Sequence, residues 1–170
     1  MVRDLLTDPY IGARGTSRGP FGGDAAEAAL EERFVQSTTI LLGDDNSAVL
    51  DHVGKMLEKE GSYKVVGAVS DGRTVVREYL RLRPDVVILD ISMGDVSGID
   101  VARDLRDSGC NAKIIFLTVH EDSDYLNAGM GAGGSAYVVK SRLNQDLISA
   151  INAVLSNKIF VSPSLMAGSG

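Results

Sequence analysis

Five residues able to do chemistry stand at or just past the ends of short β-branched runs. Asp44 and Asp45 follow Ile40 to Leu42, Asp90 follows Val86 to Leu89, Thr118 follows Ile114 to Leu117, and Lys140 follows Tyr137 to Val139. Three carboxylates gathered in one place repel one another and want a cation. Oxygen ligands without histidine or cysteine beside them suit Mg²⁺ or a similar hard ion that keeps several waters. A carboxylate beside such an ion, a hydroxyl and an ammonium is equipped to accept a phosphoryl group, because the ion, Thr118 and Lys140 can share the charge on the transferred oxygens. Asp90 is the natural nucleophile, standing alone at the end of the most apolar run.

For these groups to meet, the elements between them must bring their ends to one rim. A fifth run, Val65 to Val69, completes a set that alternates with segments whose apolar residues recur at three and four. Those segments carry Val49, Leu50, Val53, Met56 and Leu57, then Val75, Val76, Tyr79 and Leu80, then Ile99, Ala102 and Leu105, then a weaker stretch from Tyr125 to Met130, and finally Leu147, Ile148, Ile151, Val154 and Leu155. Gly61, Gly72, Pro84 and Gly109 punctuate the pattern. Strands that alternate with helices are parallel strands joined by crossovers, which predicts a three-layer α/β domain. In such a sheet the ligand site lies outside the carboxyl ends of the strands, where these five residues fall.

The first 36 residues lack a sustained apolar period and read as a flexible N-terminal extension, within which Asp24 caps a short helix from Ala25 to Phe34. The folded domain is expected over 37–158, and 159–170 as a C-terminal tail or the start of a linker. A formal net charge of -6 and the lack of a Lys/Arg cluster argue against direct contact with nucleic acid. No apolar run approaches the roughly 18 residues of a membrane span. The N-terminus has no secretory apolar core, so a cytoplasmic location is expected. Cys110 is the only cysteine, which excludes an internal disulfide and a cysteine-based zinc site.

Asp44 and Asp45 after the first strand, Asp90 with Met93 and Gly98, Thr118, and Tyr137 three positions before Lys140 together resemble the receiver domain of two-component response regulators, over roughly Thr38 to Ser156. The resemblance implies a flavodoxin-like, doubly wound α/β fold: a five-stranded parallel sheet in the order 2-1-3-4-5, flanked by five helices. It implies a phosphorylatable Asp90, and Mg²⁺ held by Asp45 and Asp90 with help from Asp44 and the main-chain carbonyl of Ser92. Thr118 and Lys140 would contact the phosphoryl group, and the Tyr137 ring would change rotamer as Thr118 moves. Such a domain catalyses its own modification. Its partners would be a sensor histidine kinase or phosphotransfer protein, and a homodimer or effector that reads the face of the fourth helix, fifth strand and fifth helix. Val119 and His120, Lys140 with Ser141, and Val161 to Pro163 resemble the subgroup that usually continues into a LuxR-type helix-turn-helix; this chain stops where that module would begin.

Gly94 departs from the family, which usually has proline there, and a looser loop is expected from it. Ala136, where many relatives have glycine, is a milder change. Two other functions stay open on the sequence. One is a phosphate-independent interaction module of the same fold. The other is a small Mg²⁺-dependent phosphatase or phosphotransferase, which would want a second acid and a substrate cap. Taken singly, adjacent acids are a solvated turn, Thr118 a helix cap, Lys140 a surface lysine, and His120 and His52 exposed histidines. His120 could instead act on acyl-phosphate hydrolysis from the loop edge. Gly129, Gly131 and Gly134 match G-x-G-x-x-G but follow a helix and precede a strand, so they end a weak helix rather than hold a dinucleotide. Cys110 is expected in a loop as an unreactive thiol.

Overall fold

The computed structural model describes residues 37–166; the expected N-terminal extension and its helix at Ala25 to Phe34 lie outside them. β1 (Thr38–Gly43) leads to α1 (Ser47–Glu60), β2 (Tyr63–Val69) to α2 (Gly72–Leu82), β3 (Val86–Leu89) to α3 (Gly98–Asp107) and β4 (Lys113–Thr118) to α4 (Ser123–Gly131). β5 (Ala136–Val139) passes through a 3-10 turn at Lys140–Arg142 into α5 (Leu143–Leu155). The strands run parallel, as the alternation requires, in the order β2-β1-β3-β4-β5 that the resemblance implies.

Two additions depart from the sequence reading. Phe160 and Val161, expected in a tail, form a sixth strand, β6, parallel to β5, and a four-residue helix follows, α6 (Pro163–Met166). Two residues are too few to show a period, so the strand exists because α5 returns the chain to the open edge of β5. The loop after β3 contains a small antiparallel ribbon of Ser92–Met93 and Val96–Ser97.

Helices cover both faces of the sheet, so β3 and β5 are buried along their whole length. The period of two divides their side chains. Leu41, Val87, Leu89, Ile114 and Phe116 face Val75, Tyr79, Val101 and Leu105 of α2 and α3. Ile40, Leu42, Ile88, Ile115 and Val138 face Val53, Leu57, Leu147, Ile151 and Val154 of α1 and α5. Each such side chain contributes about 1.5–3 kcal/mol by leaving water. Asn46, Asp71, Ser97 and Asp122 cap α1 to α4 by accepting from Ala48, Thr74, Ile99 and Tyr125 N–H groups. Those caps lie on the rim where the strands end, so polar side chains there do two jobs: closing helices and lining the site. Among the described residues, no helix is long and apolar enough to cross a membrane.

Candidate functional site at the carboxyl ends of the strands

β1 and β3 are neighbours, and their ladder continues one step past β3: the Asp90 N–H donates to the Gly43 carbonyl at 2.8 Å. On the other side of β1 the Asp44 N–H donates to the Val69 carbonyl at 3.1 Å. The two carboxylates are thereby set side by side, each only 3% exposed, while Asp45 points outward. One oxygen from each of Asp44, Asp45 and Asp90 lies within 4.8 Å of the others. The Asn46 N–H donates to Asp44 Oδ1 at 2.9 Å, which fixes that carboxylate as the chain enters α1.

Lys140 reaches this pair from β5, with β4 between. Its Nζ donates to Asp90 Oδ2 at 3.0 Å and lies 2.8 Å from Asp44 Oδ2. The second contact is an ion pair, and among the described residues Asp90 Oδ1 is a buried oxygen with no hydrogen-bond partner. Beneath the two carboxylates is a cavity of about 10 Å³ walled by Leu42, Val53, Ile88 and Leu117. Burial against that apolar floor raises the Asp90 pKa; Lys140 and the Ser92 N–H oppose the rise, and the Asp44 charge adds to it. Burial works to depress Lys140, yet the two carboxylates outweigh it and hold the ammonium above the ordinary lysine value. Lys140 is thus a fixed cation in the site rather than a surface lysine.

Thr118 ends β4 fully buried, and its hydroxyl accepts the His120 N–H at 3.2 Å. It is not a helix cap, since Asp122 fills that position for α4. Tyr137 is also fully buried; its ring packs on Phe116 and its hydroxyl donates to the His120 carbonyl at 3.0 Å. His120 therefore connects the two. Its ring stacks on Tyr125 at 3.9 Å between centroids, and Nε2 lies 2.8 Å from Ser92 Oγ, across the mouth of the site. Sequence reasoning weighed His120 as an exposed loop residue or one acting on acyl-phosphate hydrolysis from the loop edge; its four partners come from four different elements, which spacing does not reveal. His52 does lie on a helix surface, bonded to Asn144 at 2.7 Å. Arg106 was missed altogether. Its guanidinium donates to the Cys110, Ala112 and Gly133 carbonyls and ties the ends of α3 and α4 to the entry of β4.

Gly94 occupies a defined turn. Met93 pairs with Val96 across it, and its φ of +61° is the single positive φ that a two-residue hairpin turn of type II′ places at its first loop residue. Proline would be excluded from that conformation. The ribbon buries Met93 and presents Ser92 to the rim. Gly98, at the start of α3, lies so close to the Asp90 backbone that no side chain fits. Gly129 and Gly131 close α4, and Gly134 precedes β5, in keeping with helix-ending glycines. Cys110 lies after α3, buried.

The donor set fits a hard divalent cation: three clustered carboxylates, with a buried Asp90 oxygen that has no hydrogen-bond partner among the described residues. On the open side, Asp45, Ser70, Arg73, Gly94 and Asp95 border a cleft of about 310 Å³.

A family model described as the response regulator receiver domain matches residues 40–152. The chain is 33% identical over 128 residues to the transcriptional regulatory protein DesR of Bacillus subtilis (strain 168), covering 75% of this chain and 63% of that protein. It is 33% identical over 123 residues to the response regulator UvrY of Escherichia coli (strain K12), covering 72% of this chain and 56% of that one. The chain thus spans less than two thirds of the length of these curated relatives. A LuxR-family two-component response regulator from Aurantimonas sp. SI85-9A1 superposes with a TM-score of 0.74 at 30% identity, over 78% of this chain and 94% of that chain. The isolated REC domain of RcsB from Salmonella enterica serovar Typhimurium, solved with the phosphomimetic BeF3-, gives 0.72 at 27% identity, over 78% and 98%.

Proposed function

Because the chain belongs to the response regulator receiver family, we propose that it is a phosphorylation-controlled signalling switch in which Asp90 accepts a phosphoryl group from a histidine kinase or phosphotransfer protein. The observation that carries this reading is the unequal treatment of the Asp90 oxygens: Oδ2 is held by Lys140 at 3.0 Å, while Oδ1 lies buried with no hydrogen-bond partner among the described residues, in the cluster with Asp44 and Asp45.

The carboxylate attacks phosphorus, the P–O bond to Asp90 forms as the donor's P–N bond breaks, and the imidazole leaves. Lys140, already a cation, balances charge on the phosphoryl oxygens without moving far. Asp44, Asp45, Asp90 and the Ser92 main-chain carbonyl would hold Mg²⁺, which supplies neutralisation of the transferred oxygens when bound. Thr118 would exchange its His120 N–H for a phosphoryl oxygen. That exchange alters the loop whose carbonyl holds Tyr137, and so reaches the α4–β5–α5 face, where a second copy or an effector would read it. DesR is named as a transcriptional regulatory protein, and on that likeness the output of this chain is the control of transcription.

Incubation with acetyl phosphate and Mg²⁺ followed by intact-mass measurement tests the proposal. A gain of one phosphoryl mass is expected, lost in Asp90→Asn and in chelator. Steady phosphate release without an adduct would mean a turnover enzyme instead, and no reaction a phosphate-independent module.

A further inference from the structure

We propose that Ser162 is a positioning residue for Lys140, and that through it β6 is coupled to the phosphoryl site; this rests on the reading of Lys140 as the ammonium facing the phosphoryl group. Ser162 is polar, yet it is fully buried one residue past β6. Its N–H donates to the Tyr137 carbonyl at 2.9 Å. Its hydroxyl accepts the Val139 N–H at 3.1 Å and donates to Asp146 Oδ2 at 2.7 Å. One residue therefore grips β5 at both Tyr137 and Val139, immediately before Lys140.

The physical reason lies in Pro163. With Tyr137 opposite Val161, the Ser162 carbonyl would be next in the parallel ladder to accept the Val139 N–H. The chain instead turns into α6 at Pro163, and that carbonyl accepts the Leu165 N–H at 3.0 Å. The hydroxyl takes the vacated place. Its own proton goes to Asp146, which is 5% exposed and also accepts from Arg142 Nε at 2.8 Å and Nη2 at 3.1 Å. Lys140 is thus bracketed: Val139 before it is tied to Ser162, Arg142 after it to Asp146, and Ser162 to Asp146. This closed ring of hydrogen bonds sets the backbone from which the ammonium must reach Asp90 and Asp44. Ser162→Ala leaves the buried Val139 N–H without its acceptor and opens the ring.

Acetyl-phosphate labelling of the full chain, followed by intact mass, is compared for Ser162→Ala, Ser162→Thr, Lys140→Ala and the Ser162→Ala/Lys140→Ala double variant. Misplacement of Lys140 by a fraction of an ångström predicts labelling about fivefold slower in Ser162→Ala, with Ser162→Thr restored to within about twofold of the parent. Ser162→Ala has no further effect once Lys140 is gone. A slowing that persists unchanged in the Lys140→Ala background, or no slowing at all, overturns the proposal. Should Ser162→Ala fail to fold, Asp146→Asn, which keeps an acceptor for the hydroxyl and loses the Arg142 charge pair, must slow labelling; an unaltered rate there overturns it equally. Nitrogen and carbon chemical shifts of the Lys140 ammonium and Asp90 carboxylate give a readout independent of labelling. They must move in Ser162→Ala, and unmoved signals sink the coupling. Moved signals in a chain that never labels would support the coupling and defeat the phosphorylation reading alone.

Discussion

Gly98→Ala puts the close approach of α3 to the phosphoacceptor loop to a quantitative test. A Cβ at this position overlaps the Asp90 carbonyl oxygen and falls 2.8 Å from its carbonyl carbon and 3.0 Å from Ile91 Cα. Unstrained contacts of this kind lie near 3.5 Å, so the loop and the helix must separate by more than about 1 Å. All three obstacles are backbone, and no rotamer change relieves them. Separation also breaks the hydrogen bond from the Gly98 N–H to the Ile91 carbonyl, now 2.7 Å. Alanine gains about 0.5–1 kcal/mol in helix propensity. Against that stand about 1–3 kcal/mol of overpacking and a similar cost for the broken buried bond. The net is a loss of about 3 kcal/mol, a large share of the 5–15 kcal/mol typical of a domain. Because the displaced atoms belong to Asp90 itself, labelling by acetyl phosphate should also fall about tenfold in the fraction that stays folded. Urea unfolding followed by circular dichroism, with intact mass for labelling, reads both effects. A variant as stable as its parent, or a destabilised one that labels at the parental rate, would refute the packing argument.

Other outcomes follow from the same geometry. Gly94→Pro cannot adopt a φ of +61°, so it should open the ribbon, lower the thermal midpoint and slow labelling; an unperturbed variant would mean the hairpin is not required. Burial raises the Asp90 pKa, so the folded state holds that proton more tightly than the unfolded chain, and stability present below the unfolded value of about 3.9 is lost as pH rises through the raised folded value. Asp90→Asn should therefore raise the midpoint at pH 7 in chelator and give no gain in acid below that value; a midpoint lowered at pH 7 would contradict the sign. Arg106→Ala leaves three carbonyls without their donor and should cost about 2–4 kcal/mol in urea unfolding while the folded fraction labels normally. Equal stability would show that water replaces the guanidinium without loss.

The rim was legible in sequence because a parallel sheet leaves no choice about where its ends go. Once Ile40 to Leu42, Val86 to Leu89 and Tyr137 to Val139 are strands of one parallel sheet, the residues after them share an edge, and the strand order implied by the resemblance then brings Asp44, Asp90 and Lys140 within reach of one another. Side-chain direction and hydrogen-bond partners were not legible, since they depend on loops that meet only after folding. Ser92 and His120 are 28 positions apart and Ser162 and Val139 are 23 apart, and neither pair leaves a periodic trace. The Gly94 loop shows the same limit. A glycine allows freedom in an isolated chain, but cross-strand pairing of Met93 with Val96 converts that freedom into one tight turn.

The order of apolar runs and helical periods, by itself, determined the layers, the parallel direction of the strands and the identity of the acids, hydroxyl and ammonium at the rim, because burial selects residue type and chain direction locally; the strand order was implied only by the family resemblance. Tertiary packing alone decided that Lys140 bridges two buried carboxylates, that His120 joins Thr118 to Tyr137, and that Phe160 and Val161 become a strand whose next residue braces β5. Those contacts are short-range and directional. They exist only where distant segments are brought within about 3 Å at the right angle, a condition no local pattern encodes.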